Sequence, residues 1–242
     1  MVSVDKLRAT RNMHDLKSLE QILDLEFKNP DYLRQAMVHR SYLNEHPEFT
    51  LGHNERLEFL GDAVLEIVVT QYLYHQFPDK SEGDLTDWRA SLVNAKILGE
   101  VANKLNLEKF LHLSRGEAKD TNNKARQYIL ANAVEALIGA IYLDRGIGAC
   151  KKLIKREIIC KLDHILKNQL YLDPKSKLQE KTQDLYNITP RYQVLQESGP
   201  DHDKKFEVGV YLKDELLAVG SGDSKHEAQV QAAQAALQFK GW

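Results

Sequence analysis

Cysteine is scarce: Cys150 and Cys160 are the two in 242 residues, too few for a disulfide framework and, ten apart, badly spaced for a zinc site. They read as reduced thiols of a cytoplasmic protein. Long apolar runs are missing as well. The most apolar stretch, 130–143, is interrupted by Asn132 and Glu135, so no membrane span is expected. The first residues, Met-Val-Ser-Val-Asp-Lys, lack the apolar core of a secretory signal. Neither sign of charge dominates: 33 Lys and Arg face 35 Asp and Glu, for a net charge of −2. A nucleic-acid surface must therefore come from local clustering. No phosphate-binding glycine loop is present, and no histidine is paired with a candidate nucleophile in a recognisable motif, so a nucleotide cofactor is not expected.

What is present is a hydrophobic content of 43%, enough for a real core, and a change of period along the chain. Helical patterns run over 31–44, 53–75, 83–105, 124–144 and 147–167. Ser18 with Gln21 forms a capping-box pattern, and Asn29-Pro30 places a cap before a first-turn proline. Breaks are expected at His46-Pro47, Phe77-Pro78, 114–116, 119–124 and Arg145-Gly146. After Asp173-Pro174 a short helix is expected over 176–186. The period then switches to alternation at Tyr192 and Val194 and from Phe206 to Leu212, with a third strand over 216–220 and a closing helix over 224–239. This predicts an all-α domain at 14–168, a linker at 169–174, and a small α+β domain of order α-β-β-β-α at 175–242.

The most informative string is Asn54-Glu-Arg-Leu-Glu-Phe-Leu-Gly-Asp-Ala-Val64. Glu55, Glu58 and Asp62 are three and four apart, so a helix stacks them on one face while Leu57, Leu60 and Val64 turn inward. Such spacing usually marks a solvated face, and Arg56 is nearby to offset it. A hard divalent cation, magnesium or manganese, would equally relieve the repulsion. In Ala131-Asn-Ala-Val-Glu-Ala-Leu137, Asn132 and Glu135 are a second polar pair three apart, embedded in an apolar helix and needing partners.

The eleven-residue string resembles, without a gap, the signature of the ribonuclease III family, magnesium-dependent endonucleases of double-stranded RNA. The resemblance implies that Glu58, Asp62, Asn132 and Glu135 are metal ligands, with Asp62 and Glu135 catalytic. Glu55 and Glu82 would be acidic support at the cleft, and Phe59 an aromatic inserted into a second copy in a homodimer. It also implies 5′-phosphate and 3′-hydroxyl products and a role in ribosomal and messenger precursor processing. Two departures stand out: the family usually has aspartate at Asn132 and commonly serine at Tyr128. Asparagine keeps a carbonyl oxygen for magnesium but removes one charge, which leaves a non-cleaving duplex-binding protein as the rival reading.

Residues 174–242 resemble a double-stranded RNA-binding domain. The motif Gly220-Ser-Gly-Asp-Ser-Lys-His-Glu-Ala228 contains a capping box, Ser224 and Glu227. By the resemblance, the helix start with Ser224, Lys225 and His226 grips a phosphate. Gln179, Glu180 and Gln183 reach a minor groove, and His202 in Gly199-Pro-Asp-His202 reaches the next. The family usually has a second lysine at His226. From Lys175 onward 9 Lys and Arg face 10 Asp and Glu, so modest, salt-sensitive affinity is expected, carried by Lys204, Lys205 and Lys225.

Overall fold

A computed structural model describes residues 16–120, 122–200 and 204–242. It divides into two compact units, the first ending at Asn168 and the second running from Gln169 to Trp242. The proposed start of the first domain at His14 lies outside the described residues.

In the first unit the described elements are almost all helical: α1 (16–23), α2 (Pro30–Ala36), α3 (Arg40–Leu43), α4 (Glu55–Gln76), α5 (Glu82–Val93), α6 (Ala95–Lys104), α7 (Arg115–Lys119), α8 (Asn123–Arg145), α9 (Ile147–Glu157) and α10 (Leu162–Lys167). The core is built around α8. Leu130, Val134, Leu137, Ile138 and Ile141, with the small Ala133, Ala136 and Ala140, are buried along it. A helix covered on nearly every side needs no polar stripe, and α4, α6, α2 and α9 supply that cover.

Several expected long helices are shorter, each for a local reason. The 31–44 pattern breaks after Ala36 because Val38 bridges His112, with the His112 N–H donating to the Met37 carbonyl at 2.8 Å. The 83–105 pattern breaks at Asn94, whose extended backbone (ψ 160°) ends α5. Its side-chain oxygen accepts the Ile97 N–H at 3.0 Å to cap α6, and its amide donates back to Ser91 at 2.8 Å. The 147–167 pattern breaks at Ile158 into α9, a 3-10 turn at Ile159–Lys161 and α10. Ser18 lies inside α1, which already includes residues 16 and 17, so it is not a cap. Residues 114–116 do not break a helix but start one, Ser114 capping α7 through the Glu117 N–H. Asn29 does cap α2, with Pro30 at its first turn. Cys150 is buried and Cys160 exposed, both free.

The second unit is α11 (Pro174–Tyr186), strands β1 (Arg191–Ser198), β2 (Lys205–Leu212) and β3 (Glu215–Gly222), and α12 (Lys225–Lys240). The strands form one antiparallel sheet in the order β1-β2-β3. Leu178 of α11, Val210, Leu217 and the alanine face of α12 (Ala232, Ala233, Ala236) close its core. Among the described residues, no helix is long and apolar enough to cross a membrane.

Candidate active site and RNA-binding surface

Asn54 begins α4 but does not cap it with its side chain. Buried to 3% exposure, it is tied instead to the end of α2: its backbone N–H donates to the Val38 carbonyl at 2.9 Å and its amide to the Ala36 carbonyl at 3.2 Å. Glu58 and Asp62 follow one and two turns later. Across from them, α8 brings Asn132 and Glu135. The two helices touch through glycine. A Cβ on Gly61 would fall 1.7 Å from the Glu135 carbonyl oxygen, and one on Gly139 would fall 2.2 Å from the Leu57 carbonyl oxygen. Glycine in a helix interior costs about 1 kcal/mol relative to alanine, so a pair of them here marks backbone contact.

This contact brings Glu58, Asp62, Asn132 and Glu135 together. Burial raises the Glu58 carboxyl, the charges of Glu55 and Asp62 raise it further, and a hydrogen bond from Asn132 opposes them. Glu135 is pushed up to about 7, first by burial and then by the charges of Asp62 and Glu58. These are like charges held close by the fold. Leu57 and Val64 are buried behind them and Leu60 is half-buried.

The other acids behave differently. Glu55 faces Arg40 of α3 at 3.6 Å, which offsets part of its charge, and lies 3.8 Å from the His53 ring. Glu82 opens α5, accepts a hydrogen bond from Thr86 at 3.2 Å, and lines a groove with Thr70, Tyr74 and Arg89. Phe59 is 81% exposed, which an ordinary core phenylalanine would not be. Tyr128 is exposed one turn before Asn132.

The donors fit a hard cation in kind: every one is an oxygen and three are carboxylates, with Glu58 and Glu135 raised first by burial and then by neighbouring negative charge. Among the described residues no three His, Cys, Asp or Glu side chains form a ready-made cage. The cluster draws on Asn132 as well, through its bond to Glu58.

In the second unit Gln179, Glu180 and Gln183 lie on the exposed face of α11, with Leu178 and Thr182 buried opposite. Gln183 donates to Asn187 at 2.6 Å. Ser224 caps α12 by accepting the Glu227 N–H at 3.1 Å, but the box is only half formed, because Glu227 accepts from the Asp223 N–H at 3.1 Å instead of from Ser224. Lys225 and His226 are exposed on the first turn. His202 lies outside the described residues.

Sequence reasoning gave no role to Asn54, Gly61 or Gly139. The capping box at the α12 start also left Gly220 and Gly222 unexplained. Both are packing contacts: a Cβ on Gly220 would meet the Ala232 nitrogen at 2.1 Å, and one on Gly222 the Ala228 nitrogen at 2.7 Å. The available signal was glycine inside an otherwise regular element.

A helical unit with facing acids on two crossing helices, followed by an α-β-β-β-α unit, defines a nuclease domain joined to a duplex-RNA-binding domain. Residues 29–162 match the family model described as ribonuclease-III-like, and residues 174–240 match the double-stranded RNA binding motif. Ribonuclease 3 of Carboxydothermus hydrogenoformans is 51% identical over 93% of this chain and 95% of its own length. That of Dehalococcoides mccartyi (strain ATCC BAA-2266) is 45% identical over the same shares. A solved nuclease domain of ribonuclease III from Campylobacter jejuni, described as having a region involved in dimer formation, is 42% identical with a TM-score of 0.52. It covers 59% of this chain and 95% of its own. The chain belongs to the ribonuclease III family. It is an endoribonuclease of double-stranded RNA, of a family of divalent-metal-dependent nucleases, rather than a non-cleaving binder.

Proposed function

We propose that this cytoplasmic enzyme uses magnesium, with manganese as a substitute, to hydrolyse duplex RNA into 5′-phosphate and 3′-hydroxyl ends during ribosomal and messenger precursor processing. The observation that carries the reading is the meeting of Glu58 and Asp62 with Asn132 and Glu135 across the Gly61–Gly139 contact. Those four residues would hold the ion, with Asp62 and Glu135 nearest the chemistry. A bound ion of this kind lowers the pKa of a water and offsets charge developing on the phosphate. Asn132 would have two tasks: its N–H steadies Glu58 in the ionised form, and its carbonyl oxygen would serve as a donor to the ion. Glu55 and Glu82 extend the acidic border.

Each cluster serves one strand, so a duplex calls for two copies. On α4 the exposed Phe59, Ile67 and Tyr74 share one arc of the helix surface, suited to a two-fold partner. Substrate is held by Gln179, Glu180 and Gln183, by the α12 start with Ser224, Lys225 and His226, and by His202. Domains of this kind read A-form shape and 2′-hydroxyls more than sequence.

The test is a labelled RNA duplex incubated with the protein across a magnesium titration, with Glu135→Ala as control. Metal-dependent fragments bearing 5′-phosphates, lost in the control, are expected. A duplex that is shifted on a gel yet intact at every magnesium and manganese level would overturn the reading.

A further inference from the structure

Lys225, the first residue of α12, is already engaged. Its Nζ lies 2.7 Å from Glu197 Oε1 and 5.5 Å from the centre of the Phe206 ring. Glu197 and Phe206 are directly opposite each other in the β1–β2 register, so the strand pair offers the lysine one seat with an acid on one side and a ring on the other. Lys205, at the start of β2, is likewise paired with Asp223, just before α12. The Asp223 backbone is in turn held by Glu227. The hydrogen bond from Lys225 is the main reason the Glu197 carboxyl sits below the ordinary carboxylate range, with the charges of Lys225 and Lys204 adding to it. Glu197 therefore remains an anion near neutral pH.

Resting on the reading that Lys225 and the α12 start take an RNA phosphate, we infer that Glu197 is a built-in competitor for that phosphate. It must release Lys225 before the lysine can bind duplex, and so it holds the domain's affinity below what its lysines alone would give. Asp223 does the same to Lys205. A carboxylate and a phosphodiester both present anionic oxygens to an ammonium, so the exchange conserves the kind of contact made. Once displaced, Glu197 stays beside the RNA as a like charge, which favours letting go. A nuclease benefits from that, because its cleaved products must leave.

The experiment measures binding of the full-length protein to a labelled RNA duplex by fluorescence anisotropy, with EDTA present to prevent cutting, at about 0.1 M salt, where surface charges still act over ~10 Å. Lys225→Ala should weaken binding. Glu197→Gln should tighten it about two- to fivefold, the range of exposed ion pairs. Glu215→Gln, an equal charge change at the start of β3, should leave it unchanged. In the Lys225→Ala background most of the Glu197→Gln gain should vanish, because the two side chains act as a pair. If Lys225→Ala weakens binding while Glu197→Gln changes nothing, the competitor is overturned and the phosphate site stands. A gain that Glu215→Gln matches, or that persists undiminished without Lys225, overturns it equally. If Lys225→Ala leaves binding untouched, the phosphate site itself falls and the competitor falls with it.

Discussion

A methyl group on Gly61 would occupy the place of the Glu135 carbonyl oxygen, with 1.7 Å between Cβ and O. The spacing of the acidic cluster is thus set by the absence of a side chain one residue before Asp62. Backbone cannot swing aside as a side-chain tip can, so Gly61→Ala must push α4 and α8 apart. The cost should reach about 3 kcal/mol, the upper part of the overpacking range. Thermal unfolding should drop by about 6–12 °C, and cleavage should fall with it. Gly148→Ala is the contrast: nothing lies within 4 Å of its Cβ position in α9, so a gain of about 0.5 kcal/mol is expected. Equal melting temperatures for the two variants would refute the close-contact argument.

Asn132→Asp should act in opposite directions with and without metal. In EDTA it removes the hydrogen bond that steadies Glu58 and adds a fourth acid, so the melting temperature falls. With magnesium, the added charge should lower the concentration for half-maximal cleavage by about tenfold, since a unit charge a few Å from a cation is worth more than 1 kcal/mol at a half-exposed site. An unchanged magnesium midpoint would remove Asn132 from the ligand set.

Phe59→Ala should loosen the proposed dimer while leaving the fold of each copy intact, because the ring is 81% exposed within one chain. Sedimentation should show a smaller mass at low micromolar concentration, with an unchanged circular dichroism spectrum. Undiminished mass would remove the ring from the interface.

Glu157 supplies a pH dependence away from the site. Burial pushes its carboxyl up, but the ion pairs with Lys104 and Arg156, at 2.6 Å each, outweigh burial and hold it below the ordinary value. A carboxyl depressed on folding stabilises the folded chain above its unfolded pKa of about 4.5. That contribution is lost as pH falls through the lower folded value. Glu157→Gln should therefore melt lower than the parent at pH 7, and the gap should shrink as pH falls from about 4.5 through the lower folded value. A gap that stays constant with pH would show that the ion pairs contribute nothing.

The parts of the fold that could be read from the sequence are those set by local pattern. The carboxylates of α4, the polar pair of α8 and the alternation of β2 each announce themselves within a dozen residues. What stayed hidden depends on distant partners. Asn94 looks like one more polar residue inside a helical run until its side chain is seen capping two helices at once. The pairing of Val38 with His112 joins segments over seventy residues apart, and no periodicity near Val38 signals it. At the α12 start the Ser-x-x-Glu spacing correctly marked a helix, yet Glu227 turned to Asp223 because the strand end already presented that N–H.

The two bonds from Asn54, one to Ala36 at the end of α2 and one to Val38 just beyond it, have a mechanical consequence. A glycine contact fixes how near two helices approach, but a smooth backbone surface offers little resistance to sliding along the axis. Asn54 works as an end-stop. By anchoring the first turn of α4 to the carbonyls of Ala36 and Val38, it sets the height at which Glu58 and Asp62 stand opposite Asn132 and Glu135. The alignment of the cutting machinery is thus gauged from outside it, by the end of a seven-residue helix that supplies none of its four oxygen donors.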